Sequence, residues 1–174
     1  MKKVLITGIS GFMGNSLKNF IERSLPSYEV YGIDISLSRP TGRYFRGDIN
    51  NRKFLRKIIK KIGPQYIFHL AGLTKAKDLS RLITANTLTT HSLLDSMLAL
   101  KNLKARIIIP GTAAEYGRVS QKDMPVKETH PLRPVNPYGF SKACQTLLAL
   151  NYSKKGLNIV IGRVFNVSGW GTPD

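Results

Sequence analysis

The sequence predicts an α/β domain built on a doubly wound parallel sheet, with helices on both faces. Three observations lead there. Apolar runs of strand length alternate with stretches of helical periodicity along the chain. The fifth run, "ARIIIPGT" from Ala105, is apolar through its centre, as expected of a strand covered on both faces in a parallel sheet. A glycine-rich turn, "TGISGFMG" (7–14), lies directly between the first run and the first helical stretch.

The elements follow in order. "KVLITG" reads as a buried strand closed by a glycine turn, and Met13, Leu17, Phe20 and Ile21 then recur as one helical face until Pro26. "EVYGID" is a second strand and "RYFRGD" a short third. "RKFLRKIIKK" (52–61) carries Phe54, Ile58 and Ile62 at helical spacing, ending at Gly63-Pro64, so its lysines and arginines form the wet face of an amphipathic helix. "QYIFHLAG" is a fourth strand. A long helix runs from Leu79 to about Leu100, with Leu79, Leu82, Ile83, Leu93, Leu94, Met97 and Leu98 as its apolar stripe. After "ARIIIPGT", a loop carrying Pro125, Pro131, Pro134 and Pro137 leads into a helix that begins near Tyr138, and "LNIVIGRVFN" is a sixth strand. The chain shows no internal repeat, low-complexity tract or linker, which predicts one domain over 1–174.

Composition narrows the function classes. A chain of 174 residues with 42% apolar and 21% charged content is that of a soluble globular protein. Cys144 is the single cysteine, which excludes an internal disulfide and suits a reducing compartment. His69, His91 and His130 lie far apart without metal-ligand spacing, so no metal is expected. The N-terminal apolar run breaks at Gly8, and no window reaches the roughly 18 apolar residues of a membrane span, so a cytoplasmic protein is expected. The net charge of +17 raises the question of nucleic acid. Apart from the amphipathic helix, however, the basic residues are scattered and carry no aromatic interleaving, so the expected use of the charge is attraction of phosphate-bearing small molecules.

Two motifs carry chemistry. Gly8, Gly11 and Gly14, in GxxGxxG spacing, let backbone N–H groups approach a pyrophosphate at a helix N-terminus, although glycines also serve ordinary turns. Asp34 stands 20 residues past Gly14 at the end of the second strand. An acid there accepts hydrogen bonds from a ribose diol and repels a 2′-phosphate, which favours NAD over NADP. Arg39 and Arg43 blur that preference, and a turn or cap role for Asp34 stays open. In "NPYGFSK" (136–142), Tyr138 and Lys142 are one helical turn apart on one face. A fixed positive charge near a phenol of pKa about 10 favours the phenolate and readies it for proton transfer.

Taken together, "TGISGFMG", Asp34, "GDI" (47–49), "HLAG" (69–72), Asn86, "GTAAEYG" (111–117), "NPYGFSK" and "GRVFN" (162–166) resemble the extended short-chain dehydrogenase/reductase family, the NAD-dependent epimerases and dehydratases of nucleotide sugars. The resemblance implies a Rossmann fold, NAD as cofactor with NADP as the alternative, and a nucleotide-sugar substrate. It implies that Gly8, Gly11, Phe12, Met13 and Gly14 form the pyrophosphate turn, that Asp48 and Ile49 hold the adenine, and that Leu70 and Ala71 lie along the cofactor. Asn86, on the apolar face of its helix, needs a buried partner in helix packing or in the cofactor region. Tyr138 would be the general acid/base. Lys142 would hold the nicotinamide ribose and lower the phenol's pKa, Thr112 would hydrogen-bond the reacting sugar oxygen, and Asn166 would contact the substrate diphosphate.

Departures sharpen the expectation. Ala114 occupies the position of the 4,6-dehydratases' glutamate, and Glu115, one residue later on an extended segment, would face the other way. A 4-keto reductase or epimerase is therefore expected, with a 4,6-dehydratase relative or a non-catalytic NAD(P)-binding module as the alternatives. "NVSGWGTPD" departs from the family's usual ending after the asparagine, and the family's C-terminal substrate domain would follow Asp174, so a fragment of a longer enzyme is expected. The resemblance also implies a homodimer through a four-helix bundle, for which Leu147, Leu148 and Leu150 are suited.

Overall fold

The computed structural model describes residues 1–101 and 104–167. Six strands form one sheet: β1 Lys2–Thr7, β2 Tyr28–Asp34, β3 Tyr44–Arg46, β4 Tyr66–His69, β5 Arg106–Thr112 and β6 Asn158–Val164. Their order is β3-β2-β1-β4-β5-β6, and every pairing is parallel. The register places Val4 beside both Val30 and Tyr66, and Arg106 beside both Tyr66 and Asn158. The chain winds outward from β1 to β3, returns to the centre and winds outward again to β6. The reversal falls between β1 and β4, the place where sheets of this winding open a crevice at the carboxyl ends of their strands.

Alternation along β1 sends side chains to two cores. Leu5 joins Ile33, Ile67, Ile107 and Ile109 under the helices α2 (Arg52–Ile62), α4 (Thr89–Ala99) and α5 (Pro137–Lys154). Val4 and Ile6 face the other way, with Val30, Ile9 and Ile21 of helix α1 (Phe12–Ser24). Helices on both faces of a parallel sheet are thus as the sequence predicts.

Local signals place the helix ends. Asn51 caps α2 by accepting from Phe54 N at 3.1 Å (Oδ1), and Gly63, at φ 62°, ends it in the left-handed conformation. Its basic face is wet and its apolar face, Leu55, Ile58, Ile59 and Ile62, is buried. Asn136 caps α5 through Gly139 N at 2.7 Å, with Pro137 in the first turn.

Two helices differ from expectation. The buried stripe of α1 runs through Gly14, Leu17 and Ile21, leaving Met13 39% and Phe20 58% exposed. Those two lie one residue, about 100° of rotation, off the stripe. The long helix is three pieces: α3 (Leu79–Leu82), a π turn (Ile83–Leu88) and α4. Thr89 and Thr90 direct their hydroxyls back to the carbonyls of Ala85 and Asn86, at 2.6 and 2.7 Å, which competes with the regular helical ladder. Leu79 is exposed in consequence of lying at the far end, while Leu82, Leu93, Leu94 and Met97 are buried. No helix among the described residues is long and apolar enough to cross a membrane.

Candidate functional site

The glycine turn sits at the reversal point. Gly8 adopts φ +73°, and a Cβ there would lie 2.7 Å from the Ala71 Cα, so β1 and the segment after β4 approach as only glycine allows. A Cβ on Gly14 would lie 2.7 Å from the Ile9 Cα and strike the Gly8 carbonyl, which seats the first turn of α1 on the loop. Gly11 precedes α1 with no side-chain cap, and the first helical turn carries no acid. Its amides and partial positive charge thus meet neither a side-chain cap nor an acid of the first turn. Phe12 is half-buried and Met13 exposed beside them.

Asp34 reaches this turn from the end of β2. Its Oδ2 accepts from Ser10 N at 2.9 Å, and its Oδ1 accepts from Ser36 N and Oγ at 2.9 and 2.7 Å. Burial pushes its carboxyl upward, but the bonds from Ser36 and Ser10 outweigh it and hold the group below its ordinary value. Leu70 N donates to Thr7 O at 3.0 Å, so Leu70 and Ala71 lie alongside the turn. Asp48 is exposed beyond β3 and accepts from Asn50 N at 2.8 Å. The Ile49 side chain belongs to the core.

The second half of the site gathers where β5 ends. Thr112 closes β5, and Tyr138 and Lys142 project from the first turns of α5. Burial raises the Tyr138 phenol, a hydrogen bond with the Thr112 side chain works against the rise, and the charge of Glu115 adds to it. Lys142 does not lower the phenol here, contrary to expectation. Its ammonium is turned inward, donating to Pro110 O at 2.8 Å and to Gln145 Oε1. Burial lowers Lys142 to about 8, with Glu115 pulling the other way.

Behind Lys142 runs a buried polar chain. Gln145 Nε2 donates to Asn86 O at 3.0 Å and to Thr90 Oγ1 at 2.6 Å. His69 joins Thr90 through Nε2 at 2.9 Å and Thr7 through Nδ1 at 2.8 Å. Because Thr90 gives its one proton to Asn86 O, it accepts from His69, which assigns the Nε2–H tautomer. Burial, and then the Lys142 charge, lower His69 to about 3, so it is neutral. The Asn86 amide is fully engaged: it accepts from Leu73 N at 2.8 Å and donates to Leu73 O and Ser141 Oγ, both at 2.9 Å. It thereby clamps the segment after β4 to α5, which supplies the buried partners its amide needs.

Glu115 corrects another expectation. The segment is a 3-10 turn, Ala113–Glu115, rather than extended, and the carboxylate folds inward to full burial. It accepts from Thr112 N and Thr146 Oγ1, each at 2.8 Å, and from Arg163 Nε at 3.2 Å. So held, it is not free to act as a base on a substrate carbon. Asn166 is exposed beyond β6; the rest of "NVSGWGTPD", from Ser168 on, lies outside the described residues. No group of three or more metal-binding side chains occurs among the described residues.

Sequence reasoning missed Thr7, Thr90, Ser141, Gln145, Thr146 and Arg163. The available signal was polar residues recurring at helical spacing on buried faces, Asn86 with Thr90, and Lys142 with Gln145 and Thr146.

The profile of the family described as "NAD dependent epimerase/dehydratase family" matches residues 4–174. The chain belongs to that family. Among its members, the GDP-6-deoxy-D-talose 4-dehydrogenase of Aggregatibacter actinomycetemcomitans is 31% identical over 172 residues, 97% of this chain and 54% of that protein. The NAD complex of the UDP-glucose 4-epimerase from Brucella ovis superposes with a TM-score of 0.85 at 27% identity, over 97% of this chain and 53% of that one. The NADPH complex of RMD from Pseudomonas aeruginosa superposes at 0.84 with 25% identity, over all of this chain and 57% of that one. The chain spans about half the length of these family members.

Proposed function

We propose that the chain forms the cofactor-binding part of an NAD(P)-dependent nucleotide-sugar epimerase or 4-keto reductase. The observation that carries this reading is the hydrogen bond of Tyr138 with Thr112 at the end of β5, with Lys142 bonded to Pro110 O two residues before Thr112, at the same carboxyl end of the sheet as the glycine turn. The residues fit a dinucleotide: Gly8 and Gly14 let the turn pack tightly against Ala71 and Ile9 with the α1 N-terminus uncapped beside it, and Phe12 and Met13 flank it. Asp34 offers acceptors to a ribose diol, Asp48 and Ile49 border the adenine side, and Leu70 and Ala71 run along the crevice, braced by Asn86. Lys142 has three N–H donors and two protein acceptors, Pro110 O and Gln145, which leaves one donor for a ribose.

The nicotinamide cofactor would accept and return a hydride. Tyr138 takes the proton from a sugar hydroxyl as that carbon is oxidised to the ketone, and gives it back in the reverse step. Thr112 orients the same oxygen, and Asn166 meets the substrate diphosphate. At pH 7 the Lys142 ammonium, lowered to about 8, is still roughly nine-tenths charged and favours phenolate once turned toward the phenol. The negative charge of Asp34 favours NAD; exposed Arg39 and Arg43 keep NADP as the alternative. Relatives acting on GDP- and UDP-sugars support a nucleotide-sugar substrate. Of the leucines expected on a dimer face, Leu148 packs against the core instead; exposed Leu147 and Leu150, with Phe140 on the same helix, suit a homodimer through a four-helix bundle, and sedimentation would detect it.

Calorimetric titration with NAD⁺ and with NADP⁺ tests the cofactor. Tyr138→Phe tests the chemistry: affinity for cofactor persists while hydride transfer with GDP- and UDP-linked sugars is lost. Wild-type protein, extended past Asp174 where needed, that converts no sugar nucleotide overturns the reading.

A further inference from the structure

Glu115 is a fully buried carboxylate that the proposed chemistry does not use. Its three partners come from three different elements. Thr112 N belongs to the end of β5, where the candidate sugar-orienting hydroxyl sits. Thr146 Oγ1 lies on α5, one turn beyond Lys142 and two beyond Tyr138. Arg163 Nε lies on β6, three residues before Asn166, and the Arg163 guanidinium also reaches Tyr116 Oη at 2.8 Å and Glu128 O at 3.1 Å. The Glu115 backbone carbonyl adds a fourth tie, accepting from Arg133 N at 3.0 Å in the loop that leads to α5. A Cβ on Gly111 would lie 2.8 Å from Glu115 Oε1, so the strand itself leaves room for the carboxylate.

We propose that Glu115 is a positioning residue for the Thr112–Tyr138–Lys142 site, its one carboxylate fastening β5, α5 and β6 together and setting a fixed negative charge behind the phenol and the ammonium. The assignment of a function to that site rests on the reading above; the role of Glu115 in holding it does not need catalysis to be tested. Two features distinguish a positioning carboxylate from an ordinary buried ion pair. Both oxygens are used, Oε1 on the Thr112 turn and Oε2 shared by Thr146 and Arg163, so displacing the group frees three elements at once. The charge also acts on both Tyr138 and Lys142, raising each. The charged and titratable groups facing it are Arg163 from β6 and Tyr138 and Lys142 from α5, with His69 behind Lys142.

The test follows the Lys142 titration by NMR of the chain with ¹³C-labelled lysine, the Lys142 signal being assigned by its loss in Lys142→Met. In wild type this lysine titrates near the value of about 8 that its burial sets. Glu115→Gln keeps the shape and an acceptor for Thr112 N but removes the charge, and lowers the Lys142 midpoint by about 0.5–1 unit, the scale of one partly buried charge at this range. Arg163→Gln leaves the carboxylate without its counter-charge and raises the midpoint. A purely structural brace would loosen the fold in both variants and shift the midpoint the same way in both, toward that of an exposed lysine. Opposite shifts support the proposal; an unmoved midpoint, or shifts of one sign, overturn it. Glu115→Gln decides, because Arg163→Gln rises under either account. Should Glu115→Gln not fold, Arg163→Lys, which keeps the counter-charge but loses the bonds to Tyr116 and Glu128, takes its place, and a rise there toward an exposed lysine overturns the proposal. A wild-type chain that binds cofactor but turns over no sugar nucleotide would remove the functional reading and leave this result standing.

Discussion

His69 offers the most direct test of the buried polar chain, through acid. The imidazole is fully enclosed between Thr7 and Thr90, and burial, with the Lys142 charge second, lowers it from 6.5 to about 3. Below pH 6.5 the unfolded chain takes up a proton that the folded chain refuses until about pH 3, so stability falls as pH falls through that window. The full interval of about 3.5 units corresponds to at most roughly 5 kcal/mol. Two units below 6.5, at about pH 4.5, the loss attributable to His69 is about 2.7 kcal/mol. Asp34, held below its ordinary carboxyl value, contributes in the same direction at lower pH, so the measurement must be a difference between proteins. His69→Gln serves: it can still reach Thr90, and whatever it costs by losing Thr7 is the same at both pH values and cancels. Urea unfolding of both proteins at about pH 7 and about pH 4.5 should show wild type losing about 2–3 kcal/mol more than the variant, a midpoint difference of roughly 1–2 M. Equal losses in the two proteins would refute a neutral, enclosed His69.

Three further outcomes are expected. Gly8→Ala forces a side chain into φ +73° against Ala71, costs about 1–2 kcal/mol in denaturant, and abolishes cofactor binding in calorimetric titration. Asn86→Leu strands Leu73 N–H and carbonyl and loosens Ser141; urea unfolding should show a loss of about 2–4 kcal/mol, since water can relieve only the Leu73 groups. Asp95→Asn breaks the half-exposed pairs with Arg52 and Arg56, at 3.1 and 3.0 Å, and should cost no more than about 1 kcal/mol, a difference that fades in high salt.

The order of strands and helices was legible in the chain because its signals are local. Period-two and period-3.6 apolar patterns, the Asn51 and Asn136 caps, Pro137 and Gly63 each act within a few residues, and they place α2 and α5 where the periodicity puts them. The glycine turn was legible for the same reason, since Gly8, Gly11 and Gly14 answer to backbone geometry close at hand. The pairing of Thr112 with Tyr138, and the neighbourhood of Lys142, came within reach through the family resemblance, because no periodicity joins residues so far apart in the chain. What Lys142 touches, Pro110 O and Gln145, was decided by α5 packing against β5. The inward turn of Glu115 required Arg163, 48 residues away, and a Thr112 cap that made the segment helical rather than extended. The break at Asn86 needed Thr89 and Thr90 to take helix carbonyls while Gln145, from another helix, took the same Asn86 oxygen. Burial and charge at a site are sums over elements distant in sequence, so the elements could be read along the chain, while the protonation and direction of the groups they carry arose only when the sheet brought those elements together.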